Sequence, residues 1–425
     1  MPPQGSQLHI LAADANPALL DLPWSQPLDR WPEQIVAALP RGISRHVVRF
    51  VYLEGHILAV KEIGEDVAFH EYEALRELVR LGAPVVTPLA VVTGRQTANG
   101  ERLNAALVTR HLPFSLPYRS LFGHRQRAET VTRLINALDV LMVRLHLLGF
   151  YWGDVSLSNT LFRRDAGSFA AYLVDAETGE MHPDLPEKLR EYDMDVARTN
   201  IIGELMDLQA GEELAPEVDA VAIGDAFVAR YRRLWEELTE KTEFQVDEKW
   251  KVTERIHRLN SLGFDVDEMS LSTGRDGTRV FIQPKVVEPG HYRRRIMRLT
   301  GIDVEENQAR RMVNDMEQYR MDSGHPTMPE SVSAHEWLTN VFEPTVNAIP
   351  RELRGKLQPA ELFHEVLEHR WFISQHQHRD VPQREAVASF VDNVLRHRRD
   401  EVSFVGEAPR SLSENPGAVT GDTAY

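Results

Sequence analysis

The sequence predicts an α+β protein: a small antiparallel sheet carrying one helix, then a helical region, then a mostly helical C-terminal domain with one β-hairpin. Three observations predict it. β-branched runs crowd the stretch before residue 110, and apolar residues at spacings of three and four dominate after residue 128. A chain of 425 residues punctuated by 24 Pro and 25 Gly is also too long for one ordinary core.

The elements follow in order. Residues 1–34 read as an irregular, Pro-punctuated N-terminal extension lying across a domain (Pro17, Pro23, Pro27, Pro32). His46–Leu53 and His56–Ile63 are strand-like runs joined by Glu54-Gly55, a tight hairpin turn. Val67–Leu81 places Phe69, Tyr72, Leu75, Leu78 and Val79 on one helical face and stops at Gly82 and Pro84. Val85–Val92 and Ala105–Thr109 complete a sheet lobe over 35–112.

A helical lobe is expected over 113–240: a long helix Ala128–Leu148, a loop Tyr151–Asn159, short strands Thr160–Arg163 and Ala170–Val174, and helices Glu191–Leu208 and Ile223–Thr239. The helical C-terminal domain, 241–405, carries helices at Val246–Leu262, Pro289–Thr300, Val304–Met321, Ala334–Asn347, Ala360–His376 and Gln383–Arg398. Its hairpin, Met269–Ser272 with Arg279–Val287, turns at Gly274-Arg275-Asp276-Gly277. Residues 406–425 are small and polar and read as a disordered tail.

Composition narrows the function. A 42% hydrophobic, 26% charged chain with no apolar run near ~18 residues is neither membrane-spanning nor wholly disordered. A net charge of -16 disfavours nucleic acid as a general partner. The absence of cysteine excludes thiolate zinc sites and cysteine nucleophiles. Met1–Leu11 lacks the basic and apolar regions of a signal peptide, so a cytoplasmic location is expected. Of 48 basic residues 41 are Arg and 7 are Lys, and Lys61 alone precedes Lys188, so a lysine on an apolar strand invites a chemical reason.

That reason lies in an ordered set of motifs. Leu58-Ala59-Val60-Lys61 ends a strand with a cation suited to phosphates, and Glu71 on the next helix is its natural ion-pair partner. Glu73 is second choice, because it points about 200° away around the helix. His146…Gly149…Gly153-Asp154…Asn159 follows the long helix, and 16 residues beyond Asn159 a strand ends in Tyr172-Leu173-Val174-Asp175. Hard oxygen ligands of this kind suit Mg²⁺.

The set resembles the atypical protein-kinase-like families, nearest the lipopolysaccharide kinase, RIO and aminoglycoside phosphotransferase branch, over residues 35–240. The whole chain resembles a bacterial family that fuses such a half to a domain of unknown function, typical of GC-rich Gram-positives. The resemblance implies a two-lobed fold and an ATP- and Mg²⁺-dependent phosphotransferase acting on a hydroxyl of a sugar, metabolite or protein. It implies that Lys61 clamps phosphates, Glu71 orients Lys61, Asp154 serves the acceptor hydroxyl, and Asn159 and Asp175 hold Mg²⁺. Backbone groups of Thr109, Arg110 and His111 would meet adenine, and Ser44 would help cover the phosphates. Because Gram-positive cells lack lipopolysaccharide, the branch's substrate does not transfer.

Departures from the pattern are specific. A shorter Arg41-Gly42-Ile43-Ser44 stands where a G-x-G-x-x-G would lie, and Asp175-Ala176-Glu177 replaces Asp-Phe-Gly, with Glu177 a further metal-side carboxylate. The missing glycine loop keeps open a nucleotide-sensing pseudokinase that recruits a protein partner through its helical domain. Trp152 reads as packing. Tyr292–Arg298, with Arg310 and Arg311, is a basic stretch that reads as a solvated, salt-bridged face. His364, His369, His376 and His378 lack the spacing of four that puts two imidazoles on one helix face, so they read as no metal site.

Overall fold

The computed structural model describes residues 7–13, 16–37, 39, 46–122, 128–240, 242–245, 249–261, 264–273, 279–323 and 328–398. The expected phosphate loop with Ser44, the Gly274–Gly277 turn and the tail 406–425 lie outside them. Among the described residues two compact units emerge, one of residues up to 72 with 87–111, the other of 73–86 with 112–398.

The first unit is an antiparallel sheet in the order β1-β4-β5-β3-β2, formed by β1 (His9–Ala12), β2 (Val47–Leu53), β3 (His56–Ile63), β4 (Pro88–Thr93) and β5 (Ala105–Arg110). The chain's start is therefore not irregular throughout: His9–Ala12 pairs with β4 as an edge strand, too short to stand out in a Pro-rich stretch. Leu19, Leu22, Trp24, Leu28 and Trp31 then pack on Leu58, Val60, Val92 and Val108. Arg95 holds that segment down, donating to the carbonyls of Trp24 and Gln26 and pairing with Glu62 at 3.4 Å. Helix α1 (Glu65–Arg80) follows β3 and buries Ala68 and Tyr72.

The expected strand Val85–Val92 is divided. Val86 donates to the Leu173 carbonyl, whereas β4 starts at Pro88, where a register shift accommodates a residue without an N–H.

In the second unit come β6 (Leu116–Pro117), α2 (Tyr118–Phe122), α3 (Ala128–Leu147), β7 (Phe150–Tyr151), the hairpin β8 (Thr160–Asp165) and β9 (Ser168–Leu173), β10 (Glu180–Met181), α4 (Glu187–Ala210) and α5 (Ala220–Thr239). The domain that follows holds β11 (Thr242–Gln245), α6 (Lys249–Ser261), β12 (Phe264–Thr273), β13 (Arg279–Pro289), α7 (His291–Thr300), α8 (Glu306–Asp322), α9 (Glu330–Trp337), α10 (Glu343–Asn347), α11 (Pro359–Gln377) and α12 (Gln383–Asn393). Its expected single hairpin gains β11 on β13 and becomes a three-stranded sheet. The expected helix Ala334–Asn347 starts earlier, at Glu330, and runs on through a wide π turn at Leu338–Phe342, just before Pro344. Two apolar clusters fill this domain, one around Trp337, Phe342 and Phe363, the other around Leu362, Val387 and Phe390.

Buried polar groups join this domain to the β8–β9 hairpin. Asp165 accepts from the backbone N–H groups of Asn307 (3.1 Å) and Gln308 (2.7 Å) at the start of α8. The N-cap residue Glu305 accepts from the Tyr172 hydroxyl at 2.8 Å and from Arg163 at 3.0 Å. Glu361 accepts from the Ala166 N–H (2.8 Å) and from the Gln308 amide (2.9 Å).

Candidate active site

In β3 the two-residue period sends Leu58 and Val60 into the core under the N-terminal segment and Lys61 to the opposite face. There its Nζ lies 3.0 Å from Glu71 Oε2, with Glu71 only 1% exposed. Glu73 is exposed, as the helical angle requires. Beyond β5, the N–H of Arg110 donates to the Thr87 carbonyl and that of His111 to the Ile57 carbonyl. Two of the backbone donors expected to meet adenine, those of Arg110 and His111, are therefore engaged within the sheet.

In the second unit the loop Trp152–Asn159 lies on one face of α4. Asp193, Asn200 and Glu204 are spaced seven and four residues apart, which puts them on one stripe of the helix. Asp193 accepts from the backbone N–H groups of Trp152 and Gly153, both at 2.7 Å. The Asn200 amide donates to the Val155 carbonyl at 2.9 Å. Glu204 accepts from the N–H groups of Leu157 (2.8 Å) and Ser158 (2.9 Å), and burial raises its pKa.

His146 completes the support. Its Nε2 is 3.2 Å from Asp193 and its Nδ1 2.6 Å from the Tyr231 hydroxyl, while burial lowers its pKa. A neutral ring with its proton on Nε2 satisfies both neighbours, because the carboxylate accepts and the hydroxyl donates. Gly153 has φ of 80° and Gly149 of 83°; a Cβ on Gly149 would strike the His182 carbonyl.

This support brings three of the expected residues together. Asn159 Nδ2 donates to the Asp154 carboxylate at 3.1 Å and to its carbonyl at 3.0 Å. Thr160 pairs with Leu173, and the Val174 N–H donates to the Asn159 carbonyl at 3.2 Å, so Asn159 and Asp175 sit at the same open end of the hairpin. Trp152, fully buried, donates its indole N–H to the Asp175 carbonyl at 2.8 Å, in keeping with a packing role. A carboxylate oxygen of Glu177 lies within 4.8 Å of one of Asp175. Asp154, Asn159 and Asp175 are all half-buried.

The donor set fits a hard divalent cation. With Asn159 Nδ2 turned toward Asp154, its side-chain oxygen is the atom that could hold such a cation, together with the Asp175 carboxylate. Asp193, Asn200 and Glu204 were missed by sequence reasoning. The available signal was Asp193 itself, a carboxylate in a stripe with Ala197, Ile201, Leu205 and Leu208, all of which are buried.

The basic stretch and the histidines of the C-terminal region meet separate neighbours. Arg293 pairs with Asp303, and Arg295 with Glu317 and Glu330. His364 lies beside Arg311, and His369 beside the Ser389 hydroxyl.

Sheet, helix, supported loop and hairpin-end carboxylate, in this order, define a protein-kinase-like fold. Residues 54–200 match the model of the lipopolysaccharide kinase (Kdo/WaaP) family, and residues 233–395 match that of a domain of unknown function (DUF4032). Among solved structures the chain is similar to one described as WaaP in complex with acyl carrier protein. The identity is 15%, the match covers 60% of this chain and 99% of that one, and the TM-score is 0.35. No curated protein matches the chain. Among the described residues no helix is long and apolar enough to cross a membrane.

Proposed function

We propose that the protein is a Mg²⁺- and ATP-dependent phosphotransferase acting on a hydroxyl group. The observation that carries this reading is the loop–hairpin junction, where Asn159 reaches Asp154 and adjoins the strand end bearing Asp175. The buried Lys61–Glu71 pair and the Kdo/WaaP family match support it.

In this reading Glu71 holds the Lys61 ammonium ready for the α and β phosphates. The Asn159 side-chain oxygen and Asp175 hold Mg²⁺, with Glu177 a further carboxylate beside them. When bound, Mg²⁺ neutralises phosphate charge. Asp154, fixed by the Asn159 amide, accepts the proton of the acceptor hydroxyl. His146, Asp193, Asn200 and Glu204 are positioning residues that hold the loop on α4. Domain limits at 35–112, 113–240 and 241–405 are part of the same proposal.

Nucleotide-dependent thermal stabilisation tests the binding half without knowledge of the acceptor. ATP with Mg²⁺ at 100 times the dissociation constant should stabilise the protein by about 2.7 kcal/mol, and Lys61→Ala and Asp175→Ala should each reduce that. No shift at millimolar nucleotide would overturn the reading. Binding without any ATP turnover across a panel of sugars, metabolites and proteins would turn it into that of a pseudokinase.

A further inference from the structure

A cavity of about 470 Å³ lies within the second unit, between α3, the β8–β9 hairpin and the starts of α7 and α8. Its wall carries six arginines, Arg133, Arg144, Arg230, Arg293, Arg310 and Arg311, against three carboxylates, Asp165, Glu305 and Glu306. In a chain of net charge -16 this is a reversal of the general surface.

The carboxylates of the wall accept hydrogen bonds largely from backbone N–H groups and a hydroxyl. Asp165 receives the first amides of α8, and Glu305 the Tyr172 hydroxyl and Arg163, which is not part of the wall. Glu306 accepts from the N–H groups of Tyr292 (2.8 Å) and Arg293 (3.1 Å) at the start of α7. These acids therefore complement helix N-termini, which carry partial positive charge of their own.

Two of the arginines, moreover, face weak counter-charges. Arg311 contacts the imidazole of His364 at 3.1 Å, and burial lowers that ring's pKa to about 4, so it stays neutral. Arg230 lies 3.5 Å from Asp139, a carboxyl whose burial raises its pKa well above the ordinary range. Arg144 is desolvated, which lowers its pKa, and Glu306 and Glu305 of the same wall oppose that shift from nearby.

We propose that this cavity, lined by α3, the β8–β9 hairpin, α7 and α8, is a binding site for a small molecule carrying adjacent phosphate groups. Planar guanidinium forks match phosphate oxygens two at a time, and several of them around one volume suit several linked negative charges better than one. The volume falls in the ordinary range for small-ligand sites. None of these residues has a role in the proposed phosphotransfer chemistry, so the two sites are separable.

Inorganic pyrophosphate is the probe, titrated calorimetrically into the full chain without Mg²⁺. Pyrophosphate should bind at least tenfold more tightly than inorganic phosphate, with an affinity that falls as salt rises. Arg310→Gln/Arg311→Gln should weaken it at least tenfold. So should the near-isosteric Asn136→Asp, which adds a negative charge to the same wall with little change of shape. Lys61→Ala/Asp175→Ala should leave it unchanged. Absence of binding at millimolar pyrophosphate would overturn the proposal. So would equal affinity in the wall variants, or loss of binding in Lys61→Ala/Asp175→Ala.

Discussion

The two ends of the β8–β9 hairpin put similar residues to opposite uses. At the turn end Asp165 is 2% exposed, and with Glu305, Gln308 and Glu361 it forms a closed network that joins hairpin to helical domain. At the open end Asn159 and Asp175 are only half-buried, and the Asn159 amide reaches the Asp154 carboxylate. Buried polar groups are stable only when each finds its partners, whereas groups meant for a ligand must keep some capacity in reserve. In the proposed function the same chain segment thus has a docking end and a chemical end, about six residues apart along each strand.

The largest effect should come from the chemical end. Asp154→Asn is expected to lower turnover about 10²–10⁴-fold while leaving the melting temperature and nucleotide binding near wild type. A large loss of stability would break the contrast, since Asp154 would then be structural.

At the docking end the signature should reverse. Asp165→Ala strands the first amides of α8 and should lower stability by roughly 2–3 kcal/mol in urea denaturation. Turnover per folded molecule should stay within about twofold; its abolition in folded protein would mean that the two ends are not independent.

pH sharpens the same comparison. Burial, reinforced by nearby Glu305, raises Asp165 from 3.8 to about 7 in the folded protein. The folded state therefore holds the proton more tightly, and this stabilising contribution is full below about pH 4 and lost as pH climbs through about 7. The difference in melting temperature between wild type and Asp165→Asn should accordingly shift against the wild type over that window. His364, lowered to about 4, acts in the opposite sense, being lost as pH falls from 6.5 toward 4, and for that reason the variant difference is the quantity to measure.

The smallest effect concerns α1. Glu73→Gln should alter neither turnover nor stability beyond about 0.5 kcal/mol, while Glu71→Gln should reduce nucleotide affinity. Equal responses would leave Glu71 without the special status that its pairing with Lys61 suggests.

Much of the candidate site could be read from local sequence because its spacing is set by element periods. The alternation of β3 places Lys61, and the 3.6-residue turn separates Glu71 from Glu73. The hairpin pairing of Thr160 with Leu173 puts Asn159 near Asp175. What escaped was held by partners far away in sequence: β1 by β4, β11 by β13, and the loop Trp152–Ser158 by Asp193, Asn200 and Glu204. A four-residue strand or a lone buried carboxylate has too little local pattern to declare itself.

By itself, then, the sequence determined the fold class, the order of the elements and the candidate phosphotransfer residues, because periodicity and short spacings are properties of a continuous chain. Only the tertiary structure decided which polar groups are buried as docking contacts, which helix carries the loop, and that arginines from α3, α5, α7 and α8 share one cavity. The physical reason is that desolvation and charge pairing depend on neighbours in space, and here those neighbours lie as many as 195 positions apart in the chain, as from Ala166 to Glu361.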